Sequence, residues 1–297
     1  MRALVTGGAG FIGANLVNRL VDDGYEVIIF DNLSTGSQYN INKEAKLFLI
    51  DISHNDYFKD KKVDDIINGV DVIFHMAALP RIGPSFKNPK EVSDVNVGGT
   101  QNILDLARKY EIPVVYAGSS SFWGGVYKNP YTFSKWQGEE LCKMYEMIYG
   151  LNVTICRFYN VYGDFMPTEG EYRTVLPIFL EQYRSDEPLT ITGDGEQRRD
   201  FTHVDDIVDA MMKVVQLNKW GSVYELGRGE NHSINEVAEM FLSNGKFSDV
   251  SYKDPIYIDE IPGETRNTLC KSELARKKLK WKPTINLEDW IKEQLWK

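Results

Sequence analysis

Tyr131 and Lys135 stand four residues apart in "PYTFSK", where a stretch with helical periodicity begins. That spacing puts both side chains on one face of a helix. An ammonium beside a phenol stabilises the tyrosinate and draws its pKa toward working pH, so the pair could take the proton from a substrate hydroxyl. Just upstream, "SSS" at 119–121 closes an apolar run. Ser119, at the tip of that run, could hydrogen-bond the same hydroxyl and hold it in line. Taken alone, a tyrosine and a lysine at this spacing describe many solvated helical turns, so the surroundings must decide.

The surroundings include a phosphate-type loop. "LVTGGAGFIGANL" places Gly7, Gly10 and Gly13 between an apolar run and an amphipathic one. Glycines there permit a tight turn and let backbone amides approach a pyrophosphate, to which a helix N-terminus adds partial positive charge. About 20 residues on, "EVIIFDN" carries Asp31 at the end of its apolar run. A carboxylate at the end of a second strand accepts hydrogen bonds from a ribose diol and repels a 2′-phosphate, which selects NAD over NADP. Asp51 and Ile52, in "LIDIS", follow a third apolar run at a position suited to the adenine edge, although Asp51 could equally be a turn residue.

These residues need a frame. The runs "RALVTGG", "EVIIFD", "KLFLID", "DVIFHMAA", "PVVYAGSS" and "NVTICRF" read as buried strands. Helical stretches at 13–24, 96–110 and 131–150 lie between them. Continuous apolar strands alternating with helices predict a parallel sheet covered on both faces: an α/β, Rossmann-type doubly wound fold. Beyond about residue 163 the rhythm loosens. Helices are expected at 174–185, 233–243, 271–283 and 286–296, a strand and loop at 188–201, and a further strand at 223–229. The expected division is an NAD-binding part at 1–163, which also receives a strand and helix from about 200–226, and a smaller mixed α/β substrate-binding part at 164–297.

Composition narrows the function classes. The 297 residues carry a formal charge of -9, with 42% hydrophobic and 26% charged side chains, as in an ordinary globular protein. That balance argues against nucleic acid or an anionic membrane as partner. Three dispersed cysteines, Cys142, Cys156 and Cys270, suit a reducing compartment and give no metal spacing. No metal site is expected at His203, Asp205 and Asp206, which read as a helix start. The opening "MRALVTGG" reads as a strand entry and not a leader, so a cytoplasmic protein is expected.

As a set, "TGGAGFIG", "HMAA" (75–78), "NVGGT" (96–100), "SSS", "PYTFSK", "RFYNVYG" (157–163), "RRDFTHVDD" (198–206) and "PGETR" (262–266) resemble the extended short-chain dehydrogenase/reductases. Within them the chain is similar to the NAD-dependent nucleotide-sugar epimerase/dehydratase group, to which UDP-glucose 4-epimerase belongs. The resemblance implies Ser119, Tyr131 and Lys135 as the catalytic set. Ser119 takes the place five residues before the glycine that matches Gly124, with Ser120 as the alternative. It further implies that Phe11, Ile12, Asn96 and Tyr159 line NAD, together with Asn32, Ser34, Gly36, Met76, Ala77 and Ala78. Asn160 and Arg199 would reach the substrate's diphosphate. Arg266 is a second phosphate candidate, because the family's arginine before "PG" is here Ile261. Arg81 borders the nicotinamide end and is a substrate candidate, as is Ser120. Thr268 stands where a bulky tyrosine narrows some epimerases, leaving room for an N-acetyl group.

The family oxidises the hexose C4 hydroxyl and then diverges. The 4,6-dehydratases carry Asp and Glu directly after the catalytic residue, and the decarboxylases a Glu at the second position; here these are Ser120 and Ser121. The 3,5-epimerases use a Cys/His pair, and no cysteine adjoins Ser119. What the resemblance leaves is 4-epimerisation of a nucleotide-diphosphate hexose, UDP-Glc/Gal or UDP-GlcNAc/GalNAc, through a transient 4-keto sugar. A reductase, dehydrogenase or dehydratase on a related sugar is the alternative, and a non-catalytic NAD sensor the reading from another class. Two departures stand out: Trp123 replaces the usual tyrosine before Gly124, and only "GVYKNP" separates Gly124 from Tyr131. A homodimer built on helices at 88–109 and 131–149 is expected by analogy.

Overall fold

In a computed structural model, which describes residues 1–244, 254–260 and 263–297, all six predicted apolar runs form strands. They are β1 (Arg2–Thr6), β2 (Glu26–Asp31), β3 (Lys46–Leu49), β4 (Val72–His75), β5 (Val114–Ser119) and β6 (Val153–Phe158). Shorter strands follow: β7 (Asn160–Tyr162), β8 (Thr190–Thr192), β9 (Arg198–Arg199), β10 (Phe201–His203), β11 (Val223–Leu226), β12 (His232–Ser233) and β13 (Ile256–Ile258). Among the described residues, β1–β6 and β11 make one seven-stranded sheet in the order β11-β6-β5-β4-β1-β2-β3, parallel throughout.

The side chains alternate between two cores, as period-2 geometry requires. Ala3, Val5, Val27 and Ile29 face one apolar cluster, while Leu4, Ile28 and Phe30 face the other. Helices α1 (Phe11–Asp22) and α8 (Val204–Gln216) cover the first face through Leu16, Val17, Ile207 and Met211. On the other face lie α2 (Lys61–Ile67), α5 (Thr100–Lys109) and α6 (Pro130–Tyr149), which contribute Ile67, Leu104 and Tyr145. A third cluster joins α7 (Val175–Arg184), α9 (Ile234–Asn244) and α11 (Leu287–Trp296) through Phe179, Phe241 and Trp290. The architecture is the expected α/β Rossmann type.

Three local differences have physical causes. Helix α2 and α3 (Ile82–Lys87) have no counterpart among the predicted helices, whereas α4 (Pro89–Ser93) opens the helix expected from residue 88. Helix α2 is only 7 residues long, and α3 is interrupted by Pro84 and stopped at Asn88, which masks their periodicity. The 89–109 run is helical throughout, but its middle turn, Asp94–Gly99, is a π-helix. The predicted 271–283 helix shrinks to α10 (Leu274–Lys278). Past it, Lys280 takes positive φ and the Trp281 indole donates to the Asp206 carbonyl at 2.7 Å, turning the chain onto α8.

Register brings the carboxyl ends together. Thr6 pairs with Phe30 and His75, Asp31 with Leu49, and Ser119 with Phe158. The strand order reverses at β1, and ligands of open α/β sheets bind outside the carboxyl ends at such a switch point. Among the described residues no helix is long and apolar enough to cross a membrane.

Candidate active site

A cavity of about 1060 Å³ opens at that edge. Its floor is the glycine loop. Gly7 has φ +70°, and a Cβ there would stand 2.7 Å from the Ala77 backbone; a Cβ on Gly13 would stand 2.1 Å from the Gly7 carbonyl oxygen. The loop therefore folds onto itself only because side chains are missing. Gly10, Phe11 and Ile12 join Gly7 and Gly13 in the lining. Asp31 clamps the loop, accepting from the Ala9 amide at 2.9 Å and the Leu33 amide at 2.8 Å, one on each oxygen. Each oxygen keeps a lone pair for a diol. Asn32, Ser34, Asp51, Ile52, Met76, Ala77 and Ala78 line the same wall. The Asp51 carboxylate accepts from Ser53 and Asn32, so it builds the turn it lines. His75 is a packed residue, bonded to Thr6 and Thr100 and kept neutral by burial, its pKa near 3.

Tyr131 and Lys135 reach the cavity from the first turns of α6. The helix starts there because Asn129 accepts from the Thr132 amide at 2.8 Å and Pro130 occupies the first turn. Ser119, Ser120 and Ser121 all line the cavity at the end of β5. The Ser119 hydroxyl is bonded to that of Ser121 at 2.9 Å. Burial raises the Tyr131 phenol above its ordinary value, opposed by a hydrogen bond from Ser119 and by the charge of Arg81. Arg81 is thus a second cation near the phenol, besides Lys135 one helical turn away. The Lys135 ammonium lies 4.4 Å over the Tyr116 ring, and its principal counter-charge is Glu139, one turn on. Burial lowers Lys135 to about 8.

The opposite wall comes from the C-terminal half. Tyr159, Asn160, Arg199 and Thr268 line it, as does Arg81 from the β4–α3 loop. Asn160 donates to the Thr268 hydroxyl at 3.0 Å. Arg199 donates to the Thr265 carbonyl at 2.6 Å and pairs with Glu264 at 2.9 Å. Burial lowers both Arg81 and Arg199, with Glu264 opposing.

Three predicted residues do not line the cavity. Arg266 points outward and pairs with Asp194 at 2.7 Å on both nitrogens. Asn96 is a clamp behind the wall: it accepts from the Leu79 amide at 2.8 Å and donates to the Leu79 carbonyl and Ser134 hydroxyl. Gly36 packs against the glycine loop, where a Cβ would stand 2.8 Å from Ala9 backbone atoms. Ile261, the position of the missing arginine, lies outside the described residues. Conversely, Glu264, inside "PGETR" but not singled out from the sequence, and the 166–174 segment (Met166, Pro167, Glu171, Tyr172, Thr174), which carries no motif, line the cavity. Lys87 and Glu171, both in the lining, form a 2.7 Å ion pair. Trp123, just before Gly124, and Tyr127, in the short segment, are exposed and outside the cavity lining.

A model of the NAD dependent epimerase/dehydratase family matches residues 3–227. The chain belongs to that family. Its cofactor is NAD, and the self-fitting glycine loop and diol-ready Asp31 suit it. Over 97% of this chain and 95% of the other, it is 36% identical to a putative UDP-glucose 4-epimerase of Methanocaldococcus jannaschii. It is 30% identical, over 99% of this chain and 96% of the other, to a UDP-N-acetyl-alpha-D-glucosaminuronate decarboxylase of Bacillus cytotoxicus. A UDP-glucuronic acid 4-epimerase from Bacillus cereus, solved with UDP-glucuronic acid and NAD, superposes with a TM-score of 0.88 at 26% identity, covering 99% of this chain and 98% of that one. The family thus spans nucleotide-sugar epimerases and decarboxylases.

Proposed function

We propose that this family member is an NAD-dependent 4-epimerase of a nucleotide-diphosphate hexose, UDP-Glc/Gal or UDP-GlcNAc/GalNAc. The observation that carries this reading is the β5 tip, where Ser119, Ser120 and Ser121 face the cavity beside Tyr131 and no carboxylate follows Ser119. Elimination of water needs a second acid/base pair there, and hydroxyls at ordinary pKa do not supply one. The redox chemistry, removal of hydride from C4 and its return on the other face, is what NAD supplies when bound. Tyr131 takes the proton of the C4 hydroxyl and gives it back. Ser119 holds the hydroxyl in line, and Arg81 and Lys135 provide positive charge that favours the phenolate. Arg199 holds the diphosphate, with Asn160 and Thr268 beside it. Thr268 leaves room for an N-acetyl group.

The test is incubation of the purified protein with UDP-Glc, UDP-Gal, UDP-GlcNAc and UDP-GalNAc separately, without added NAD. Interconversion within either pair is the expected result, because a cofactor that is reduced and reoxidised in each turnover has no need to leave. Products lighter by water would overturn the reading. A second reading, decarboxylation of a uronate, is favoured by one observation: Arg81 lines the cavity near Tyr131 and makes no hydrogen bond or ion pair among the described residues. A uronate oxidised at C4 is a β-keto acid, so UDP-glucuronate belongs in the panel, and loss of carbon dioxide would favour that reading.

Arg199→Ala should raise KM for the nucleotide sugar roughly ten- to hundredfold, the loss of a hydrogen bond to a charged group worth about 1.5–3 kcal/mol. NAD content should not change. An unaltered KM in steady-state kinetics would remove Arg199 from the diphosphate site. For the oligomer, we read a homodimer through α5 and α6, whose outer end exposes Met147, Ile148 and Tyr149.

A further inference from the structure

Behind the β5 tip lies a second cluster of charges that the proposed reaction does not use. Glu139, on α6 one turn past Lys135, is 1% exposed. Arg157, on β6, grips it from the side: Nε donates to both carboxylate oxygens at 3.0 Å and Nη2 donates to Oε2 at 2.6 Å. Arg157 Nη1 also reaches Glu225 of β11 at 3.4 Å. Glu225 in turn accepts from the Trp123 indole at 2.7 Å and from the Tyr159 hydroxyl at 3.3 Å. The guanidinium lies 3.8 Å over the Phe122 ring. Room for all this exists because residue 118 is glycine: a Cβ there would stand 2.9 Å from Glu139 Oε1 and 3.0 Å from Arg157 Cγ.

The cluster adjoins the reacting centre. Phe122 and Trp123 continue the serine turn, Tyr159 lines the cavity, and Glu139 sits one helical turn from Lys135. Two carboxylates and one guanidinium leave one net negative charge in a buried place, one helical turn from Lys135. We infer that Glu139, held by Arg157 and backed by Glu225, is a positioning residue that supplies the buried counter-charge for the Lys135 ammonium. This rests on the proposed role of Lys135 beside Tyr131. Burial lowers the Lys135 ammonium, and Glu139 is the leading opposing group. The other groups facing the ammonium do not compete. Cys142, on the same helix, is held as a thiol by burial, His75 of β4 is kept neutral, and Tyr116 of β5 is pushed well above its ordinary value.

The experiment is the pH dependence of kcat for Glu139→Gln, Glu139→Asp and Glu225→Gln against the native protein, with the sugar that the native protein turns over. Glu139→Gln removes the charge that keeps Lys135 protonated, so the alkaline limb should move down by about one pH unit or more. KM and NAD content should hold, and activity should recover on acidification. Glu139→Asp should return the limb toward its native place, and Glu225→Gln should shift it in the same direction by less. A Glu139→Gln limb unmoved to within about 0.3 unit overturns the inference, even if kcat falls at all pH values. If that variant does not fold, an unmoved Glu225→Gln limb does so. The same samples, with isotope-labelled lysine Cε and Lys135→Met to assign the resonance, report the Lys135 titration without any substrate. An inactive native protein would therefore count against the epimerase reading, while an unshifted Lys135 titration would count against the counter-charge.

Discussion

Tyr131→Phe is expected to lower kcat by roughly a hundred- to ten-thousandfold, the range over which a positioned acid/base group acts. The substitution removes one oxygen and leaves the ring in place, so packing at the start of α6 should survive. The phenol is the acidic group that Ser119 and Arg81 address, and both act to favour its ionised form against burial. Lys135 cannot take over, because its ammonium rests over the Tyr116 ring with Glu139 as partner. Cofactor content and nucleotide-sugar affinity should stay close to native, which ultraviolet absorption and calorimetric titration would measure. Retention of more than about a tenth of kcat would mean another group moves the proton. Ser119→Ala, run beside it, distinguishes the two neighbouring hydroxyls, since Ser120 lies next to it in the same lining.

The second large effect is expected from a single methyl group. In Gly13→Ala the new Cβ would meet the Gly7 carbonyl oxygen at 2.1 Å, the Gly7 carbonyl carbon at 2.8 Å and the Gly8 Cα at 3.0 Å. All three are backbone atoms, with no side chain to swing aside. The loop must open, at the upper end of the usual overpacking cost of about 1–3 kcal/mol. Opening it also pulls Ala9 from Asp31, which that amide engages at 2.9 Å. The expected outcome is a protein that folds with a lowered melting temperature, lacks bound NAD and gains no stability when NAD is added. Gly24→Ala is the contrasting change: φ there is +79° but a Cβ would meet nothing within 4 Å. It should cost only backbone strain and leave cofactor content alone. Equal NAD content in the two variants would refute the close-packing account of the loop.

The parts of this protein written in local sequence are those with a local physical code. Continuous apolar runs of strand length can be buried on both faces as strands of a covered sheet, and all six predicted from β1 to β6 are present. Glycines followed by a helix and a strand-end carboxylate place the cavity floor from Gly7 to Asp31, because tight backbone approach and helix polarity need no distant partner. The Tyr131–Lys135 spacing likewise puts both residues at the start of one helix. Which side chains of irregular segments face the cavity is a different matter. In "PGETR" the motif draws attention to Arg266, yet Asp194, 72 residues away in sequence, holds that arginine outside, and Glu264 lines the cavity in its place. Asn160 and Thr268 meet across 108 residues. Asn96 matches a cofactor position, but the π-turn that carries it aims its amide at Leu79 and Ser134. The charge state of Lys135 rests on Glu139, whose place is set by an arginine from β6 and the absence of a side chain at Gly118. Helix and strand periodicity are properties of neighbouring residues. The direction of a charge in a loop follows from which opposite charge the rest of the chain brings within a few ångströms.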